Sequence, residues 1–144
     1  MRAMMAAAAF GLMSALAAPA LAQSGDDYSG TWAFQSTPYG DEQFGVLMSG
    51  TAIVSPNGAN RYQIQLLSNE IIIERQTARS TLVSALQNCT GVVADGQFNI
   101  DCEMAEAVEG YQPDNFVLQR SSPTQLQGVL ASAASAQVTF NRVR

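Results

Sequence analysis

Two cysteines lie at matching distances on either side of an Asp-Gly pair, and this spacing constrains the fold more than any other feature. Asp95-Gly96 predicts a two-residue hairpin turn of type I′, which needs positive φ at both positions. Counting outward from the turn places Cys89 opposite Cys102, in a non-hydrogen-bonded pair whose Cα atoms are about 4.5 Å apart. A disulfide spans such a separation. The sequence therefore predicts an antiparallel hairpin with a Cys89–Cys102 disulfide, in an oxidising compartment.

The side chains of this hairpin sort onto two faces in the same register. The apolar face carries both cysteines together with Gly91, Val93, Phe98 and Ile100. The other face is largely polar and carries Asn88, Thr90, Val92, Asn99, Asp101 and Glu103. This distribution is typical of an antiparallel pair that turns one face to a core. Turn chemistry, cysteine spacing and hydrophobic alternation thus agree on one strand alignment.

The remainder of the chain carries short β-type segments separated by turn residues, without a long segment of helical period. We predict strands near 30–35, 46–55, 60–67, 70–75, 81–93, 97–104, 115–121, 125–132 and 136–143. Many short strands joined by tight turns are typical of an all-β protein. The predicted fold is an antiparallel meander that closes into a small barrel of about eight strands.

The turn at Ser55–Gly58 permits two registers of its hairpin. The favoured register turns Val54 and Ala52 inward, and the other turns Ile53 and Thr51 inward. Pro56 within the segment 55–58 has no amide hydrogen for the pair beside a tight two-residue turn, which favours the first register.

The segment 104–114 is the longest predicted non-strand region. We favour a short helical turn over 105–109, stopped by Gly110, or a lid. A flexible crossing loop is the alternative.

The first 22 residues predict export. Arg2 precedes an apolar stretch over 3–18, and Pro19 and the small residues of 20–22 follow it. This is the pattern of a secretory signal peptide with cleavage after Ala22. We therefore expect one β-barrel domain over 23–144, without a membrane anchor, in the periplasm or secreted.

The composition argues against common catalytic chemistry. The chain has seven Arg, twelve Asp and Glu, no His and a net charge of −5, and it has no Lys. The lack of His and Lys excludes Ser–His and Cys–His pairs and Schiff-base chemistry, and the acidic clusters fall in predicted loops. We expect no enzymatic activity, no metal and no cofactor. An acidic chain is also poorly suited to nucleic acid.

A tryptophan opens the first predicted strand in Gly30-Thr31-Trp32, with Phe34 on the same face. A Gly-x-Trp at the first strand of a small exported β-barrel resembles the lipocalin/avidin-like (calycin) group. The resemblance implies that an arginine near the end of the barrel packs over the tryptophan ring, and Arg142 is placed for this contact.

The C-terminal half carries a second resemblance. The motifs that support it are Tyr111-x-Pro113-Asp114-Asn115-Phe116, Gly128-x-Leu130-x-Ser132 and Val138-x-Phe140-x-Arg142. Together they resemble small exported bacterial β-barrel proteins of an uncharacterised family. This resemblance implies a bacterial envelope address and no particular activity.

Three interpretations are compatible with these features. A small exported barrel is able to enclose a small apolar ligand. The candidate lining residues are Trp32, Phe34, Tyr62, Ile64, Phe98, Ile100, Phe116 and Phe140, although residues of these types more often form a plain core, and Arg142 is the charged candidate. The second function is a protein-binding module, such as a periplasmic protease inhibitor or an envelope-complex component, with 23–29 as its arm. An outer-membrane barrel is a third possibility and requires a continuous apolar outer band.

Overall fold

Nine β-strands follow one another within residues 27–143, the part of the chain that the computed structural model describes. They are β1 (Gly30–Ser36), β2 (Tyr39–Gly40), β3 (Phe44–Pro56), β4 (Arg61–Glu74), β5 (Ser80–Ala94), β6 (Gln97–Met104), β7 (Asn115–Ser122), β8 (Gln125–Ala131) and β9 (Ser135–Arg142). The predicted signal peptide over 1–22 lies outside the described residues.

Eight of these strands close into an antiparallel barrel, which confirms the predicted fold class. Each strand from β3 to β8 pairs with the next along the chain, and β1 pairs with both β9 and β3. The short β2 pairs only with β3, in a segment that the sequence analysis left as loop. The barrel thus has no free strand edge along its closed part.

The hairpin of β5 and β6 has the predicted register. Cys89 pairs with Cys102 and the two are joined by a disulfide bond. Asp95 and Gly96 form the tip with φ values of 51° and 75°. These positive values are what a type I′ turn requires, so local turn chemistry explains the alignment of the whole hairpin.

Reducing this disulfide is expected to lower the free energy of unfolding by about 3 kcal/mol, because the bond closes a short loop in the unfolded chain. The measurement is urea denaturation followed by far-UV circular dichroism, with and without a thiol reductant. A variant with alanine at both Cys89 and Cys102 is the control, since it should show the lowered midpoint and no response to reductant. An unchanged midpoint after full reduction would contradict the prediction.

β4 is one continuous strand, so the predicted break between 60–67 and 70–75 is wrong. It pairs along its length with β3 and β5. Ser68 and Asn69 lie between the two predicted strands, and the side chains of both have hydrogen-bond partners. The Ser68 hydroxyl points inward and donates to Asp114 at 2.8 Å, whereas the Asn69 side chain accepts from Ser84 at 2.6 Å. With both side chains satisfied, the strand continues through them.

The helical turn predicted over 105–109 is also wrong, because this segment is a loop. The amide of Ala105 donates to the carbonyl of Leu86 at 2.9 Å, so the loop begins against β5 rather than with a helical hydrogen bond. Residues 27–143 include no helix with the length and apolar character needed to cross a bilayer.

The favoured register of the β3–β4 hairpin is confirmed. Val54 pairs with Ile64, and Ala52 pairs with Leu66, all with buried side chains. Ile53, which the other register would bury, is 49% exposed. Apolar side chains therefore fill the interior, and neighbouring outward positions of β4 are the polar Gln63 and Gln65.

Candidate functional site

One end of the barrel is closed by the segment that precedes β1. Tyr28 is only 4% exposed, and its carbonyl accepts a hydrogen bond from Trp32 Nε1 at 2.9 Å. The guanidinium of Arg142 lies 4.4 Å from the centre of the Trp32 ring, as the calycin resemblance implies. The same guanidinium donates to the carbonyl oxygens of Ser29 and Asp27. A stacked cation and its hydrogen bonds therefore hold the segment 27–29 across the barrel end.

A second arginine strengthens this closure. The Arg120 guanidinium lies 4.4 Å from the centre of the Tyr28 ring and donates to the Asp27 carbonyl at 3.0 Å. The Ser29 hydroxyl and amide both donate to the Asp27 carboxylate, and these bonds lower the pKa of Asp27. Residues 27–29 lie against the barrel and do not project from it. Residues 23–26 of the arm proposed for a protease inhibitor lie outside the described residues.

The aromatic residues predicted to line a ligand site pack against one another. Phe34, Phe116 and Phe140 form one cluster with ring centres 4.8–5.6 Å apart. Tyr62 and Phe98 form a second cluster with Tyr28. Among the predicted lining residues, Trp32, Phe34, Ile64, Phe98, Ile100, Phe116 and Phe140 are buried, and Tyr62 and Arg142 are half-buried. These side chains form the packed core and, at its closed end, the cap described above.

The opposite end, which we call the mouth, is built differently. The pairing of β6 with β5 ends at Gln87–Met104, and the pairing of β1 with β3 ends at Gln35–Ser49. β3, β4 and β5 continue beyond these points as a three-stranded wall. The side chains on the inner face of this wall include Val46, Ile72 and Val83, all half-buried. The inner face of the mouth thus carries apolar side chains. β1 and β6 do not pair with the wall at this height, and the short β2 pairs with its β3 edge through Tyr39–Val46 and Gly40–Gly45.

A polar cluster lies inside the barrel below this wall, and we call it the polar floor: Ser68, Gln87, Tyr111 and Asp114. Oδ2 of Asp114 accepts hydrogen bonds from Ser68 Oγ at 2.8 Å, Gln87 Nε2 at 2.6 Å and Tyr111 OH at 2.7 Å. The Asp114 amide donates to Gln87 Oε1 at 2.8 Å. The side-chain amide of Gln87 therefore fastens the 105–114 loop to β5 through two bonds.

The other carboxylate oxygen of Asp114 has no such partners. The residue is 0% exposed, and Oδ1 makes no hydrogen bond to any described residue. A buried acceptor without a partner costs about 1–3 kcal/mol. Native proteins contain few such atoms, so Oδ1 is a candidate contact for a donor group of a ligand.

A second carboxyl group lies beside the polar floor. Glu70, on the inner face of β4, accepts a hydrogen bond from the Tyr39 hydroxyl at 2.8 Å. Burial raises the pKa of Glu70, and the nearby Asp114 charge raises it further. Burial also raises the pKa values of Tyr39 and Tyr111, so both hydroxyls keep their protons and act as donors. In the described part of the chain, no group of three or more His, Cys, Asp or Glu residues is placed to hold a metal ion.

Comparison with known proteins identifies the fold. No protein-family model matches the chain, and none of the curated proteins matches it. A de novo designed fluorescence-activating β-barrel matches with a TM-score of 0.57 and 15% identity, over 81% of this chain and 94% of that chain. A redesigned β-barrel, mFAP1, bound to DFHBI, matches with a TM-score of 0.53 and 17% identity, over 81% of this chain and 94% of that chain. The likeness shows the fold alone.

The residues of the polar floor were missed by the sequence analysis. Ser68 and Gln87 lie on the inward-facing positions of β4 and β5, where the other residues are mostly apolar. A polar residue at an inward position of a strand whose other inward residues are apolar is a signal that the sequence contains. It was hidden at Ser68 because the predicted strand ended at 67. The partner, Asp114, follows a loop and has no periodicity that would place it.

The outer face of the three-stranded wall is apolar as well. Leu67 pairs with Leu86, and Ile71 pairs with Leu82, so four exposed side chains are neighbours on two strands. Leu82 is 64% exposed. The hydrogen-bonded polar pair Asn69–Ser84 lies between these two apolar pairs on the same face. Large exposed apolar side chains grouped on a surface are typical of an interaction site. We call these four residues the outer patch.

Proposed function

We propose that this protein binds a small ligand in the mouth of its barrel, in the periplasm or outside the cell. The observation that carries the proposal is the polar floor, where one oxygen of the buried Asp114 has no hydrogen-bond partner within residues 27–143 and lies below the apolar side chains of the wall. Ligand sites commonly combine an apolar lining with a few convergent polar groups. An apolar ligand body would contact Val46, Ile72 and Val83, and its polar end would reach the floor.

The similar structures support this proposal at the level of architecture. The mFAP1 barrel is bound to DFHBI, and the de novo designed barrel is described as fluorescence-activating. Closed barrels of about eight strands have room for one small ligand. In the present chain the core of the closed half is already packed with aromatic side chains, which favours the mouth over the predicted aromatic site. We further propose that the protein binds its ligand without transforming it, and that it uses no cofactor.

The proposal is tested by filling the mouth. Val83→Trp places a large side chain on the inner face of the wall, whereas Leu82→Trp places the same side chain on the outer face one residue away. A neutral alcohol with an apolar chain, octanol, serves as the probe, and NMR chemical shifts report its binding. We expect Val83→Trp to weaken octanol binding by at least about tenfold and Leu82→Trp to leave it unchanged.

Two results would contradict the proposal. One is octanol binding that survives Val83→Trp with the affinity of the unaltered protein. The other is a set of shifted resonances confined to the closed end, around Tyr28 and Trp32, with none at Val46 or Ile72. Either result would move the ligand away from the mouth.

A second candidate function is the protein-binding module, which the outer patch favours. A partner protein with an apolar surface would cover Leu67, Ile71, Leu82 and Leu86. Replacing Ile71 and Leu82 with threonine puts strand-compatible side chains at these exposed positions and should leave the unfolding midpoint nearly unchanged. If this candidate is correct, the variant loses a complex that cross-linking detects with the unaltered protein. An unchanged cross-linking pattern would argue against it.

A further inference from the structure

We propose that the ligand's buried end is a protonated amine, held between Glu70 and Asp114. This inference rests on the proposed binding of a small ligand in the mouth. Its basis is the position of two carboxyl groups on the inside of the barrel. One of them, Asp114, is fully buried and has an oxygen that no described residue hydrogen-bonds.

The charges inside the mouth are unbalanced. Among the described residues, no arginine donates a hydrogen bond to either Glu70 or Asp114. Arg75, at the end of the wall, donates instead to the Asp41 carbonyl at 2.8 Å on the exposed rim. From the part of the chain that the structure describes, the two carboxyl groups therefore receive hydrogen bonds only from neutral hydroxyl and amide groups. A cavity lined by one sign of charge favours a ligand of the opposite sign.

The hydrogen-bond inventory points to the same class of ligand. An alkylammonium group carries three donors and no acceptor. Glu70 is half-buried, so its carboxylate is reached first from the mouth. Asp114 is fully buried, so its Oδ1, which has no hydrogen-bond partner among the described residues, is the deeper of the two acceptors for the amine. An anionic ligand would add a third negative group to this space, and a neutral ligand would leave the charges unbalanced.

The test compares three probes with the same eight-carbon chain and different end groups: octylammonium, octanol and octanoate. Affinities are measured by calorimetry on the unaltered protein. We expect octylammonium to bind at least about tenfold more tightly than octanol, and octanoate to bind most weakly. Equal binding of octylammonium and octanol, or a preference for octanoate, would overturn the amine inference and leave the ligand site in the mouth intact.

Variants locate the source of the preference. Glu70→Gln and Asp114→Asn each remove one carboxylate while keeping the side-chain shape, and each should reduce the preference for octylammonium over octanol severalfold. Glu103→Gln removes the same charge from the exposed face of β6 and should leave the preference unchanged. If Asp114→Asn does not fold, Glu70→Gln alone tests the inference. A preference that Glu70→Gln leaves intact would overturn the inference.

The pH provides an independent readout. Tyr39, Tyr111 and Asp114 are the titratable groups that face Glu70. An ammonium binds the ionised carboxylate, so its affinity should fall as the pH is lowered from neutral towards the ordinary glutamate value of 4.5. The alkylammonium stays protonated throughout. Octanol affinity should not change. Failure of all three probes to bind the unaltered protein would instead overturn the proposed function itself.

Discussion

Replacing Trp32 with alanine is expected to lower the free energy of unfolding by about 3–5 kcal/mol. The indole is 0% exposed and packs where the first strand meets the barrel end. Its Nε1 donates a hydrogen bond to the Tyr28 carbonyl. The Arg142 guanidinium carbon lies over its ring, 4.4 Å from the ring centre. The substitution therefore removes core volume, one buried hydrogen bond and a cation–π contact together.

The measurement is urea denaturation followed by far-UV circular dichroism, because the variant lacks the only tryptophan and has no indole fluorescence. Phe44→Ala is the matched control, since Phe44 is an aromatic residue that is 42% exposed at the mouth end of β3. That control should lose much less stability than the Trp32 variant. Similar losses in both would mean that the cap over Trp32 is not part of the stable core.

The closure predicts a second effect of the same substitution. Arg142 also holds the segment 27–29 through the carbonyls of Ser29 and Asp27. Without the indole beneath it, the guanidinium loses the surface that orients it. Amide hydrogen exchange at residues 28 and 29 should therefore accelerate by more than exchange at the hairpin tip near residue 96.

Local rules account for the parts of the fold that the sequence predicted well. The β5–β6 hairpin has its tip, its disulfide and its apolar face within one short stretch, so each constrains the others. The same holds for the β3–β4 register, where inward Val54 and Ala52 match the alternation of β4. Period-two patterning with turn chemistry is enough to align neighbouring strands.

The candidate site depends on contacts that such rules do not contain. Ser68 bonds to Asp114 across 46 positions of sequence, and Gln87 bonds to it across 27. A serine and an asparagine within a strand look like a break until their partners are known. The mouth itself exists because β3, β4 and β5 extend further than their neighbours, and strand ends are the least predictable feature of a sequence.

Gly128 marks a place where the barrel has no room for a side chain, and Gly128→Ala is expected to cost about 3 kcal/mol of unfolding free energy. A methyl group there would overlap the carbonyl oxygen of Val117 and approach Leu118 Cα to 2.9 Å. These atoms belong to the backbone of β7, which pairs with β8 through Leu118 and Gly128. A neighbouring side chain could relieve such an overlap by rotating. The β7 backbone is fixed by its pairing, so here β7 and β8 would have to move apart.

Gly45→Ala is the control for this experiment. Gly45 also lies in a strand and is half-buried, but an added methyl group would meet only the Arg75 side chain, at 3.4 Å. Because the Arg75 side chain is flexible and lies at the rim, we expect Gly45→Ala to change the free energy of unfolding by no more than about 0.5 kcal/mol. Replacing glycine with alanine also lowers the conformational entropy of the unfolded chain. Because both variants do this once, the effect cancels when their stabilities are compared. Equal stability of Gly128→Ala and Gly45→Ala would contradict the close approach of the β7 backbone to Gly128.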